Sequence, residues 1–113
     1  MTFKSRFAPS PTGLLHIGNA RSAVLNWAHI KSKGGDFILR IDDTDQNRVE
    51  TKYVEEIKND LDWLGITWSK TFNQSNRTSI YYERIEELKK KKILYPCFET
   101  HEELSLKRKS LLT

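Results

Sequence analysis

Two short stretches of this 113-residue chain carry residue types able to do chemistry together. The first is Arg6-Phe7-Ala8-Pro9-Ser10-Pro11-Thr12-Gly13-Leu14-Leu15-His16-Ile17-Gly18-Asn19-Ala20-Arg21, and the second is Asp42-Asp43-Thr44-Asp45. In the first, two prolines fix the backbone, Gly13 frees it, and a histidine and a glycine stand where a helix should start. A rigid loop feeding a helix N-terminus points backbone N–H groups outward and makes a seat for a phosphate chain. His16 can add a ring N–H to the same anion, and Gly18, without a Cβ, lets a flat group such as a nucleobase lie against the backbone. Arg6 can hold a carboxylate in a two-pronged fork, and Asp42 can hold an ammonium. Such a set suits a zwitterion beside a nucleotide.

Each residue also has a plainer reading. A histidine before a helix is commonly a cap, an Asp-Asp-Thr-Asp loop a solvated turn, and an arginine at a strand end a surface charge. What favours a site is their joint placement, and that depends on the elements around them. Phe3–Phe7 alternates like a strand. Ala20–Lys33 reads as a helix, with Ala23, Val24, Trp27, Ala28 and Ile30 near helical spacing and Gly34-Gly35 as its stop. Phe37–Ile41 is a near-continuous apolar run, as expected of a strand covered on both faces. A second helix is expected over Thr51–Leu64, with Val54, Ile57, Leu61 and Leu64 inward and Gly65 ending it. Ile66–Trp68 and Thr71–Gln74 read as short extended pieces. Asn76 is placed to cap a third helix running to Lys92, with Ile80, Tyr81, Ile85 and Leu88 inward and Glu86–Lys90 and Glu87–Lys91 as i,i+4 pairs. Ile93–Phe98 reads as extended, and Thr100 with Glu103 forms a capping box for a last helix.

This alternation predicts an α/β fold, a doubly wound parallel sheet. Ligands of such sheets lie beyond the C-terminal ends of the strands. The opening loop and the Asp42–Asp45 loop both fall there and are expected to face one pocket.

Composition sets the outer bounds. At 37% hydrophobic and 30% charged residues the chain reads as globular. It holds no apolar run of about 18 residues that would span a membrane, and its start shows no apolar signal region. Cys97 has no second cysteine to pair with, and a lone cysteine is too few for a zinc site. The expectation is a cytoplasmic protein with no zinc. A net charge of +4 fits an anionic partner, although Lys89–Lys92 and Lys107–Lys109 also read as helix C-terminal turns.

Taken together, these residues resemble a known family. Arg6 to Gly13 followed by His16-Ile17-Gly18 resembles the opening of glutamyl-tRNA synthetases, with the HIGH motif of class I aminoacyl-tRNA synthetases. Gly34-Gly35 leading into Leu39-Arg40-Ile41-Asp42-Asp43-Thr44-Asp45 is similar to that family's next marker. Asp62–Ile66, Gln74–Arg77, Leu94–Thr100 and Glu102–Leu104 continue the likeness over essentially the whole chain, in the variant common in alphaproteobacterial sequences. The resemblance implies ATP-dependent activation of L-glutamate, with Mg2+ accompanying the ATP, and transfer to the 3′ end of tRNA(Glu). It assigns Arg6, Ala8, Ser10 and Asp42 to glutamate, and Pro11, Thr12, Gly13, His16, Gly18 and Asn19 to ATP, with His16 and Gly18 in the catalytic motif. Asn19 stands where the motif ends in histidine, a place where this family carries a small residue. Asp42 is one methylene shorter than the family's usual glutamate, so its ammonium contact calls for a shifted ligand or a water.

The resemblance further implies that residues 1–95 are the first half of a Rossmann-like nucleotide-binding domain with helices on both faces. Residues 96–113 would open the acceptor-stem-binding insertion. The expectation is therefore an N-terminal fragment of an enzyme that acts as a monomer, inactive alone. The alternatives are a relative that glutamylates a modified base of tRNA(Asp), whose usual zinc-binding cysteines would lie around Cys97, and a non-catalytic nucleotide- or protein-binding module. Half a doubly wound sheet leaves a strand edge and an apolar face uncovered, so marginal stability and self-association are expected. Sedimentation of the purified chain checks this: a stable monomer with a sharp melting transition would contradict it.

Overall fold

The computed structural model describes residues 3–45 and 47–111; the readings that involve Met1, Thr2 and Thr113 lie outside them. Contacts divide the chain into two compact units, one up to Thr78 and one from Ser79 on.

In the first unit, β1 (Lys4–Phe7), α1 (Ile17–Ser32), β2 (Asp36–Ile41), α2 (Thr51–Trp63) and β3 (Lys70–Asn73) alternate, and a 3-10 turn at Ser75–Arg77 follows. The three strands form one parallel sheet in the order β1-β2-β3. Phe7 stands opposite Leu39, and Ile41 opposite Asn73, so the strands end nearly level and their exit loops emerge side by side. The predicted α/β parallel sheet is what is found.

The core explains why. Phe37, Leu39 and Ile41 of β2 are buried, together with Phe7, Ala23 and Ile30 before them and Ile57, Leu61 and Ile66 after. Burial of each of the larger of these, the isoleucines, leucines and phenylalanines, contributes about 1.5–3 kcal/mol. β2 alternates, however. Asp36, Ile38 and Arg40 stay half-buried, so one face of the strand is covered less completely than the other. The apolar run concealed a period of two. Val54 and Leu64 pack against the core beside Ile57 and Leu61, as the spacing predicts. On α1 the sheet takes Ala23 and Ile30, with Trp27 at its edge, while Val24 and Ala28 remain exposed.

Both crossover helices stop in the same way. Gly34 (φ 63°) and Gly65 (φ 71°) occupy the left-handed position after the helix end. The N–H groups of Gly35 and Ile66, each one residue further on, reach back to the carbonyls of Ile30 and Leu61 at 3.0 and 2.9 Å, a Schellman closure. Gly35 is required for a separate reason: a Cβ there would meet the Phe3 carbonyl oxygen at 2.4 Å.

The second unit holds most of α3 (Thr78–Lys90) and all of α4 (His101–Leu111). Asn76 is not the cap of α3, because it lies inside the 3-10 turn. The inward set fares differently from expectation too: Tyr81, Ile85 and Leu88 are half-exposed and Ile80 is exposed. The helix's charge pairs are Glu86–Lys89 and Arg84–Glu87, spaced i,i+3 rather than i,i+4. Residues 93–98 form no strand, and Ile66–Trp68 lie outside β3. The Thr100–Glu103 capping box is present in both directions, at 2.7 and 3.2 Å.

α3 also closes by the Schellman pattern, but its left-handed residue is Lys92 (φ 56°). The N–H groups of Lys92 and Ile93 reach the carbonyls of Lys89 and Leu88 at 2.9 and 3.0 Å. A side chain in that conformation costs about 1–2 kcal/mol, part of which glycine's looser unfolded chain would take back. Lys92→Gly is expected to stabilise this helix end by about 0.5–1 kcal/mol, measured as roughly two- to fivefold slower amide exchange at positions 92 and 93.

Candidate functional site

After Phe7 the chain crosses the end of the sheet as a pinned loop. Pro9 and Pro11 are buried. The Thr12 N–H donates to the Ser10 carbonyl at 2.9 Å, closing a tight turn. Two bonds hold the loop from outside: Asp42 N–H to the Pro9 carbonyl at 2.9 Å and Glu50 N–H to the Pro11 carbonyl at 3.1 Å.

The loop delivers His16 as the N-cap of α1, with extended backbone angles (φ −113°, ψ 170°). Its Nδ1 accepts the Gly18 N–H at 3.1 Å, and Asn19 Oδ1 accepts the His16 N–H over a longer 3.4 Å. α1 therefore begins at Ile17 rather than Ala20. Because Nδ1 is the acceptor, a neutral ring carries its proton on Nε2. The flat group lying against Gly18 is the imidazole itself: a Cβ on Gly18 would come within 2.9 Å of His16 Cε1 and 3.0 Å of Nδ1.

A cavity of about 590 Å3 opens here, and Arg6, Ala8, Ser10, Thr12, Gly13, His16 and Asn19 all line it. Pro11 sits beneath the loop, fully buried, and Gly18 is held under the His16 ring. Asp42 opens into an adjoining cavity of about 360 Å3 with Thr44, Asp45, Arg48 and Gln74. Ser10 and Thr12 belong to both walls. The two loops thus meet at adjoining chambers that share Ser10 and Thr12. The first chamber carries Arg6 and a helix N-terminus, which favour anions. The second carries two carboxylates facing one guanidinium.

Two further residues shape the second chamber. Arg40 Nε and Nη2 donate to Asp42 Oδ1 and Oδ2 at 2.5 and 2.8 Å. An Arg-x-Asp pair at a strand end shares one face by the strand's period of two, so this pairing could have been read from the sequence. Asp43 could not, because its partners lie about thirty residues on. Its carboxylate accepts from Asn73 Nδ2 at 2.7 Å and from the Ser75 N–H and Oγ at 2.8 Å each. Partial burial pushes the Asp43 carboxyl up, but the bonds from Ser75 and Asn73 outweigh that and hold it below its ordinary value of 3.8.

Cys97 lies in the second unit, exposed, and donates to Glu99 Oε2 at 3.2 Å. Glu99 is drawn down to about 2, first by the bond from Lys107 and then by that from the thiol. No group of three or more His, Cys, Asp or Glu side chains able to hold a metal ion occurs among the described residues, and no described helix is long and apolar enough to cross a membrane.

Comparison with known proteins bears on what such chambers hold. The family described as "tRNA synthetases class I (E and Q), catalytic domain" matches residues 2–113. "Glutamate--tRNA ligase 1" of Anaplasma phagocytophilum is 53% identical over 108 residues, covering 96% of this chain and 24% of that protein. The protein of the same name from Rickettsia prowazekii is 55% identical over 109 residues, again 96% and 24%. Among solved structures, a glutamate tRNA ligase from Elizabethkingia meningosepticum in complex with its amino acid superposes with a TM-score of 0.81 at 36% identity, over 97% of this chain and 24% of that one. The glutamate-tRNA synthetase of Elizabethkingia anophelis gives 0.83 at the same identity and coverage. The chain spans about a quarter of the length of the relatives it matches.

The Asp43 cluster makes a prediction independent of any ligand. A carboxyl held low in the folded state stabilises the fold above its unfolded value, and that contribution is lost as pH falls below 3.8. Asp43→Asn turns one acceptor into a donor facing Asn73 and is expected to cost about 1–2 kcal/mol near neutral pH. In melts run from pH 7 downward, the gap between parent and variant should narrow below the ordinary carboxyl value; a constant gap would contradict the assignment.

Proposed function

Because this chain belongs to the class I tRNA synthetase (E and Q) family through its catalytic domain, we propose that it serves a glutamate–tRNA ligase. It contributes the half of the site that receives glutamate and the ATP phosphates. The enzyme joins glutamate to AMP and passes it to the 3′ end of tRNA(Glu), in the cytoplasm and as a monomer. Residues 1–95 act as the first half of the nucleotide-binding domain, and residues 96–113 open the insertion that meets the acceptor stem.

The observation that carries the reading is the pairing of two chambers of opposite character across Ser10 and Thr12. In the first step an oxygen of the glutamate α-carboxylate attacks the α-phosphorus of ATP. The bond to the bridging oxygen breaks, and pyrophosphate leaves with the electron pair. Arg6 holds a glutamate carboxylate by its fork, with Ala8 and Ser10 shaping the floor, and Asp42 takes the ammonium. The triphosphate lies over Pro11, Thr12 and Gly13 towards the α1 N-terminus, where His16 Nε2–H donates to it. Gly18 makes room for the ring that does this, and Asn19 lines the same wall. The protein supplies no nucleophile. Its contribution is orientation and fixed dipoles aimed at the growing charge.

Mg2+ would come with the triphosphate, held by phosphate oxygens and water, and would neutralise charge on the leaving pyrophosphate.

His16 has two separable jobs, capping α1 and donating from Nε2, so the informative substitution is His16→Asn. Asparagine is a good N-cap but is too short to present a donor where Nε2 lies. The measurement is glutamate-dependent ATP–pyrophosphate exchange by a chimera joining this chain to the remaining three quarters of a relative. His16→Asn is expected to lower kcat about 100-fold, with the melting temperature unchanged. Full exchange by the variant would contradict the role of His16, and no exchange by the parent chimera would contradict the function.

A further inference from the structure

Arg40 and Asp42 lie two residues apart at the end of β2, with their side chains about four-fifths covered (21% and 23% exposed). The guanidinium meets the carboxylate as a two-pronged fork through Nε and Nη2, the geometry that fixes both direction and plane. The Asp42 backbone is fixed as well, by its N–H bond to Pro9. A carboxylate has about four lone-pair positions. The fork uses two, leaving two for another donor. Asp42 lines its chamber together with Asp45 and with a second guanidinium, that of Arg48. Arg48 lines the same chamber, so a carboxylate freed from Arg40 would have another cation to turn towards.

We propose that Arg40 is a positioning residue for the substrate's amino group. It never touches the ligand. It holds Asp42 away from Arg48 with two lone pairs turned to the chamber, so that an ammonium meets a carboxylate already in place. The inference rests on the reading of Asp42 as the group that holds the amino group.

Arg40 also exerts an effect of the opposite sign, since a positive charge behind the carboxylate weakens its pull on a second cation. In a chamber open to water and salt that repulsion is screened, and orientation decides. The two effects predict different variants. Arg40→Lys keeps the charge and loses the fork; Arg40→Gln loses both.

The test titrates the full 113-residue chain by NMR with L-glutamate and, separately, with glutarate, which keeps both carboxylates and lacks the amino group. Both variants are expected to weaken glutamate about fivefold or more while glutarate stays within about twofold. Tighter glutamate binding by Arg40→Gln, or unchanged binding by Arg40→Lys, would show a counter-charge alone and overturn the proposal. Equal weakening of both ligands would show a merely structural residue and overturn it as well. If the parent binds glutamate no better than glutarate, Asp42 holds no amino group, and the functional reading falls together with the role of Arg40.

Discussion

The backbone bond from the Asp42 N–H to the Pro9 carbonyl at 2.9 Å ties the opening loop to the exit of β2. It continues the β1–β2 pairing past Phe7 and Leu39, the last paired positions. Proline has no N–H to offer, but its carbonyl is free to accept, and its ring fixes φ. The rigid partner therefore sets where Asp42 goes. Everything chemical follows from that tether: Ser10 and Thr12 become a shared wall, and Asp42 sits across that wall from the chamber of Arg6 and His16. A parallel sheet makes such a meeting possible, because both strands point the same way and discharge their loops on one side.

The fold was legible to the extent that burial follows a local period. Ile57, Leu61 and Leu64 recur at helical spacing with Gly65 behind them, and α2 forms as that pattern predicts. β2 was also readable, although its apolar run concealed the alternation that leaves Ile38 and Arg40 half-covered. The readings that failed lie where tertiary packing does not enforce the pattern. α3 buries none of its residues, so its apolar spacing has no core to answer to. Its end could not be anticipated, since the left-handed residue that closes it is a lysine rather than a glycine.

The site was legible in its types and less so in its partitions. Seven of the residues assigned from the sequence line one chamber, because they lie on one continuous run from the end of β1 through its loop into α1. Asp42 lies at the strand exit, in the adjoining chamber that shares Ser10 and Thr12 with the first. The Asp43 cluster with Asn73 and Ser75 joins positions about thirty residues apart, and only the register of β2 against β3 brings them together. That cluster places Gln74 on the floor of the second chamber.

His16 shows that the plain reading of a residue, as a cap, does not compete with the proposed one. A cap satisfies an orphan N–H at the helix start, and here the acceptor is Nδ1 of an imidazole rather than a hydroxyl or carboxylate. A serine in that place would cap as well and present nothing further. Imidazole has a second nitrogen on its far side, so capping through Nδ1 fixes the tautomer and leaves Nε2–H as a donor outside the helix. The same bond orients the ring, which would otherwise rotate freely about two side-chain torsions. Gly18 is part of the arrangement, since any Cβ there would force the ring away. The capping bond thus does two things at once: it satisfies an orphan N–H of the helix and orients the ring at an end where the helix dipole favours negative charge.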